Sequence, residues 1–199
     1  MKSLFLSLVL ALASQCASAA TTVSYGNTTP FIDNSNHSPH YLLGSQVSVG
    51  QAITLADAGI DFRSTGYGGN FGIYSDVGGL PGQLISQTGF FSVTSVGDTQ
   101  IAFQNHATIS AGNYWLMAVF NAPASVGISP NNNISSIAYR YLGAISNLPV
   151  NFGTAQQYDG QEFNFYVTGT IAAVPEPSRY LMFGAGLLAL MALRKKQQR

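Results

Sequence analysis

The chain has 199 residues, 46% hydrophobic and only 8% charged, with 21 glycines, one cysteine (Cys16) and a formal net charge of zero. That length suits one domain with a substantial core, and a lone cysteine provides no disulfide framework. The zero balance hides a division: the lysines (Lys2, Lys195, Lys196) lie at the two ends, and between Thr21 and Ala173 only Arg63 and Arg140 face seven acids, a net of −5, which excludes nucleic-acid binding by phosphate neutralisation.

At the N-terminus, Met1-Lys2-Ser3 precedes an apolar run from Leu4 to Ala13, and Ala17-Ser18-Ala19 supplies the small residues of a signal-peptidase site. Residues 1–19 are therefore expected to be a secretory signal peptide, with signal peptidase as the first processing partner. Gln15 just before Cys16 fits poorly the small residue that a lipoprotein signal needs. Removing the leader removes the only cysteine, so thiol catalysis and cysteine metal sites are excluded from the mature chain.

Residues 20–173 are rich in Gly, Ser, Thr, Asn and aromatics, and no long stretch has helical periodicity. Period-two runs predict strands at Tyr41–Leu43, Gln46–Val49, Ala52–Leu55, Gly59–Arg63, Asn70–Ser75, Gln83–Gln87 and Phe90–Val93. Further strands are expected at Thr99–Gln104, Asn113–Asn121, Ser136–Leu142, Val150–Phe152 and Gln161–Ile171. Between them lie turn signals such as Gly66-Tyr67-Gly68-Gly69 and Val77–Gly82, with Pro81 expected to fix φ in the latter. Ile32–Pro39 reads as a polar loop. Many short strands at this spacing predict an all-β fold, an antiparallel β-sandwich of jelly-roll or Ig-like topology.

Two segments of this region, Phe71-Gly-Ile-Tyr74-Ser-Asp76-Val-Gly-Gly-Leu-Pro81-Gly82-Gln-Leu-Ile85 and Ala111-Gly-Asn-Tyr114-Trp115-Leu116, resemble the exported bacterial "choice-of-anchor" sandwich domains, which are joined to different C-terminal anchors. The resemblance spans roughly residues 40–120. It implies a fold and no activity.

Few residues in the domain suggest chemistry. His37 and His40 are three apart, with His106 the third histidine, short of a convergent zinc set. Asp57 and Asp61, expected on either side of a bend, and Asp159 with Glu162 are the calcium candidates, through oxygen ligands. The plainer reading is that such aspartates serve turns, and no cofactor is otherwise expected. No Gly-x-Ser-x-Gly elbow and no phosphate-loop context is present, so the chain is expected not to be an enzyme. Tyr67 among glycines, and Tyr139 with Tyr141 on one face of a strand, are the candidates for stacking on sugar rings; core packing is the competing account.

The C-terminus has three parts: Val174-Pro175-Glu176-Pro177-Ser178, an uncharged run Tyr180–Leu193, and a basic end from Arg194, Lys195 and Lys196 to Arg199. The uncharged run alone would form a helix of about 21 Å, short of a bilayer core of about 30 Å. Extended over 178–195 by snorkelling Arg179, Arg194 and Lys195, it reaches about 27 Å. One transmembrane helix with its basic tail (194–199) in the cytoplasm is therefore expected. Motif, short helix and basic end in this order resemble the PEP-CTERM sorting signal of Gram-negative bacteria, over 174–199. The resemblance implies processing by exosortase, a membrane transpeptidase-like cysteine enzyme, with Pro175, Glu176 and Pro177 as recognition residues.

Together these features describe a protein exported through the inner membrane, transiently anchored there, and delivered to the cell surface or outside. Its expected role is structural or interactive. The alternative is a module that binds exopolysaccharide or another carbohydrate, with or without calcium.

Overall fold

The computed structural model describes residues 20–129, 136–143, 147–159 and 161–171. The leader expected over 1–19, the sorting segment 174–199 and its helix lie outside them. Every described element is a strand, and the strands pair in antiparallel fashion.

Among the described residues there are fifteen strands: β1 (Thr21–Gly26), β2 (Asp33–His37), β3 (Tyr41–Val49), β4 (Ile53–Phe62), β5 (Tyr67–Val77), β6 (Leu80–Gln87), β7 (Phe91–Val93), β8 (Gly97–Ala102), β9 (Thr108–Ile109), β10 (Gly112–Phe120), β11 (Ala124–Ser129), β12 (Ser136–Tyr141), β13 (Gln156–Asp159), β14 (Glu162–Phe163) and β15 (Phe165–Ile171). They make two sheets. One has eight strands along the path β1-β15-β4-β11-β14, with β2, β8 and β9 attached; the other has seven along β13-β12-β3-β10-β5-β6, with β7 attached.

Alternation decides which faces meet. Ile53, Leu55, Ala58, Ile60 and Phe62 of β4, with Phe165 and Val167 of β15, pack against Val47 and Val49 of β3, Phe71 and Ile73 of β5 and Leu116, Ala118 and Phe120 of β10. This shared core joins the inner faces of the two sheets. Aromatic edges lock it, with Phe71 on Phe165 at 5.4 Å and Phe62 on Phe120 at 6.2 Å.

Strand β10 is buried on both faces. Its other side, Trp115, Met117 and Val119, joins Leu42, Tyr74, Ala138, Leu148 and Phe152 in a second, smaller core. The segment around Leu148–Phe152 lies over the outer face of the seven-stranded sheet, held by Leu84 N–H to Val150 O, Phe152 N–H to Gly82 O, and Tyr74 Oη–H to Pro149 O. Burial beneath that segment, relieved somewhat by the positive charge of Arg140, pushes the Tyr74 hydroxyl well above its usual range.

Several expectations are corrected. Ala52–Leu55 and Gly59–Arg63 merge into the single ten-residue β4, whose irregularity lies in a register shift between Val167 and Gly169 of β15. The polar segment 32–39 contains a strand, β2, paired with β11 from Ala124↔His37 to Ile128↔Asp33. Pro81 sits within β6, opposite Asp76, rather than in the turn. The turn is Gly78-Gly79, both at positive φ (63° and 81°), between the paired Val77 and Leu80, as a two-residue hairpin loop requires.

Candidate ligand-binding site

Strand β12 pairs on one side with β3 and on the other with β13, but the two pairings differ in length. Pairing with β3 runs to Tyr141↔Tyr41, whereas pairing with β13 stops at Tyr139↔Gln156. Past that point the chain at Gly153–Thr154 turns away, and a cleft opens beside Arg140 and Tyr141. The cleft has a volume of about 510 Å³ and is lined by Tyr41, Tyr139, Arg140, Tyr141, Gly153, Thr154 and Gln156.

Alternation along β12 places Tyr139 and Tyr141 on one face, and the β3 register sets Tyr41 directly opposite Tyr141. The Tyr41 ring lies 5.2 Å from that of Tyr141 and 6.3 Å from that of Tyr139. Tyr141 is 59% exposed, and His40, at φ 64°, sets its ring edge-on to it at 6.4 Å. Arg140 donates through Nη1–H to the Phe152 carbonyl, and its guanidinium carbon lies 5.9 Å from the centre of the Phe152 ring. The result is a row of three phenol rings on one face of β3 and β12, with Arg140 turned to the opposite face and engaged with Phe152. Such a surface can pack against the C–H face of a sugar while the phenols donate hydrogen bonds to hydroxyls or carboxylates.

Sequence reasoning names Tyr139 and Tyr141 but not Tyr41, which sits a hundred residues away in the chain. Only the β3–β12 register brings it there.

Tyr67 is a correction. It is the first residue of β5, 6% exposed, with its ring against Phe120 at 5.4 Å and Phe62 at 6.1 Å and its hydroxyl donating to Ser125 O. The glycines around it (Gly68, Gly69) are strand residues that let neighbouring chains approach, and Tyr67 fills the core between the sheets. It presents no face to a ligand.

The acidic candidates are scattered. Asp57 and Asp61 lie four apart on β4 and share its outer face. Asp57 accepts from Thr168 Oγ1–H at 3.2 Å, while Asp61, 3% exposed, pairs with Arg63 at 2.6 Å. Asp98, opposite Asp61 in β8, accepts from the Tyr166 hydroxyl at 2.7 Å. Burial, with help from the Asp98 carboxylate, raises the Tyr166 pKa. Asp159 and Glu162 belong to different sheets, through β13 and β14. Among the described residues no three His, Cys, Asp or Glu side chains gather closely enough to hold a metal ion.

The histidines also diverge. His37 is 2% exposed in the main core, edge-on to Phe120 at 4.8 Å, with Nδ1 at 3.2 Å from Ser38 O. Desolvation lowers its pKa to about 4, against weaker opposing effects of the Ser38 and Ala118 backbone. His106 is exposed and bonds to Leu55 O.

The other functional segment is the tail. Residues 173–196 match the family model described as the PEP-CTERM protein-sorting motif. The chain carries a PEP-CTERM sorting motif. The match takes in Pro175-Glu176-Pro177 and the basic residues Arg194, Lys195 and Lys196. A PEP-CTERM motif indicates an exported protein with exosortase as its processing partner, anchored at the membrane in transit and then delivered to the surface. No curated protein matches the chain.

Proposed function

We propose that this is an exported cell-surface or matrix protein whose sandwich serves as a non-catalytic structural or interaction module, without a cofactor. The observation that carries this reading is how the domain's charged groups are used. Asp61 neutralises Arg63, Asp76 holds Trp115 and a hairpin turn, Asp98 holds Tyr166, and Arg140 clasps Phe152. Groups already engaged in this way bind neighbouring strands together and are poorly placed to exchange protons with a substrate. The widely separated sequence neighbours within each sheet favour a jelly-roll type of connection, one that builds a stable scaffold from non-local pairs. Short inner-membrane anchoring by the expected helix over 178–195, with its basic end in the cytoplasm, fits a temporary hold before release.

The Tyr41–Tyr139–Tyr141 row favours the second reading, in which the module binds exopolysaccharide or another carbohydrate. Glycan-array binding by the domain, with and without EDTA, separates the two. Retention of a saccharide that is lost in Tyr141→Ala supports carbohydrate binding, and retention that disappears with EDTA adds a calcium requirement. Absence of binding under both conditions leaves the structural role.

A further inference from the structure

The strand registers reveal what the main chain contributes to the tyrosine cleft. Leu142 N–H donates to His40 O, one step beyond the Tyr141↔Tyr41 pair that ends the β12–β3 ladder. The Tyr141 carbonyl, trans to that N–H across a planar peptide, therefore points away from β3, and its own N–H follows by strand alternation. That is the side on which pairing with β13 has already stopped, at Tyr139↔Gln156. Both groups open on the cleft, beside the exposed residues Thr154 and Gln156. The same register makes Tyr141 and Tyr41 a non-hydrogen-bonded pair, the kind whose side chains stand closest, in keeping with their 5.2 Å ring separation.

What the cleft lacks is charge. Histidines aside, no residue from Asn34 to Ala56 is charged, and from Thr99 to Tyr158 only Arg140 is. Strands β3 and β12 fall within those two stretches, and no carboxylate is among the residues lining the cleft. Its one cation is already engaged, since Arg140 donates to the Phe152 carbonyl and lies over the Phe152 ring. Asp57, Asp61 and Asp98 stand in the other sheet, on β4 and β8. The domain as a whole is acidic, with two arginines against seven acids between Thr21 and Ala173.

Together these features select among glycans. A carboxylated or sulfated saccharide would approach a domain of its own sign and lose water from its anions, with no cation left to receive them. Calcium would find only neutral oxygens in the lining, without the carboxylates that raise its affinity. An uncharged sugar meets matching groups: phenol rings for its C–H face, and hydroxyl, amide and main-chain groups for its hydroxyls. The cleft volume of about 510 Å³ lies in the range of roughly 300–1,000 Å³ usual for small-ligand sites. We infer that, given the carbohydrate reading above on which this rests, the Tyr41–Tyr139–Tyr141 cleft selects uncharged saccharides over acidic ones and holds them without calcium.

The test is a titration of the full chain, held in a detergent without a sugar headgroup, against two sets of probes. One is a panel of uncharged gluco-, manno- and N-acetylglucosamine oligomers. The other is galacturonan oligomers in methyl-esterified and free-acid forms, which share a backbone and differ in charge. The expected result is binding of one or more uncharged probes, indifferent to EDTA and severalfold weaker in Tyr141→Ala at an unchanged melting temperature. Affinity should change less than about twofold as added salt shortens the Debye length from about 30 Å to about 3 Å. Binding confined to free acids, equal for free acids and their esters, lost with EDTA or severalfold weaker in salt overturns the inference and leaves carbohydrate binding standing. Binding of uncharged probes that survives Tyr141→Ala puts the sugar elsewhere and overturns it as well. No binding of any probe sinks the carbohydrate reading and this ligand class with it.

Discussion

The indole Nε1–H of Trp115 donates to Asp76 Oδ1 at 2.8 Å, and the same oxygen accepts from Gln46 Nε2 at 2.7 Å. Trp115 is fully buried and stands opposite Tyr74 in the β5–β10 register. Asp76 Oδ2 also accepts from Gly79 N–H at 3.2 Å, inside the Gly78-Gly79 turn. One carboxylate therefore ties three central strands to a hairpin. It also links the segments 71–85 and 111–116, since Asp76 in the first accepts from Trp115 in the second.

Asp76→Ala leaves the buried indole N–H without an acceptor and releases the turn. A loss of about 2–4 kcal/mol is expected, read as a lower urea midpoint at unchanged slope. Asp76→Asn keeps one oxygen for Trp115 and should lose less. Equal stability of Asp76→Ala and the parent would remove this carboxylate from any structural role.

The buried His37 predicts a pH dependence with a definite sign. Its pKa falls from 6.5 in the unfolded chain to about 4 in the fold, because burial disfavours the charged ring. Between those values the unfolded chain binds the proton and the folded one does not. Stability is therefore fully present above about pH 6.5 and declines as pH falls toward 4, by about 3 kcal/mol in all. His37→Phe should flatten that part of the profile relative to the parent in urea titrations across this range. Parallel profiles for the two proteins would show that His37 is not the group responsible.

How much of this was legible in the sequence depended on whether one face of each strand was apolar. The runs in β3, β5, β10 and β15 showed their alternation plainly, and the Gly78-Gly79 hairpin announced its own turn. Strand β2 did not, because Asp33-Asn-Ser-Asn-His37 offers the core only its last residue. Strand β11 was legible in principle: Ala124, Val126 and Ile128 alternate inward. Gly127 weakens that signal, yet the fold needs it, since a Cβ there would stand 2.8 Å from Asp61 Oδ2. Tyr67 misled because its flanking glycines signal a turn, while tertiary packing uses them as strand. The cleft was half legible, since alternation pairs Tyr139 with Tyr141 but only cross-strand register adds Tyr41.

A different glycine tests the seven-stranded sheet. Gly44 lies in β3 opposite Met117 on one side and Ala138 on the other. A Cβ there would come within 1.7 Å of the Leu116 carbonyl oxygen and 2.9 Å of Met117 Cα. These are backbone atoms of the central strand, so relief requires the strands to part. Gly44→Ala should cost about 3 kcal/mol or more, seen as a lowered melting temperature or failure to accumulate folded protein. At Gly59 the obstacle is instead the ring of Tyr166 at 2.0 Å, and Gly59→Ala combined with Tyr166→Ala should recover much of what Gly59→Ala alone loses.

The tyrosines divide into two classes that a pair of measurements separates. Tyr141→Ala removes a ring that is mostly in water and should change stability by less than about 0.5 kcal/mol, while abolishing any saccharide retention. Tyr67→Ala empties the space between Phe62 and Phe120 and should cost about 3–5 kcal/mol. Loss of retention without unfolding in Tyr141→Ala, with unfolding in Tyr67→Ala, assigns one ring to the cleft and the other to the core. Retention unchanged in Tyr41→Ala and Tyr141→Ala together would dismiss the cleft as a glycan site.

The sorting motif can be tested without touching the domain. Pro175 and Pro177 each fix φ and remove a backbone donor, so the sequence around Glu176 disfavours helix. Replacing Pro175, Glu176 and Pro177 together by alanine lets the helix expected from Ser178 propagate upstream and removes the only charge in the tripeptide. Export through the leader should continue, and the sandwich should fold, because both depend on residues before 172. Release should stop: intact-mass analysis of the surface fraction is expected to show Arg199 retained in the variant and absent from the parent. Release of the triple variant at the parent's rate would mean that recognition lies elsewhere, in the helix or its basic end.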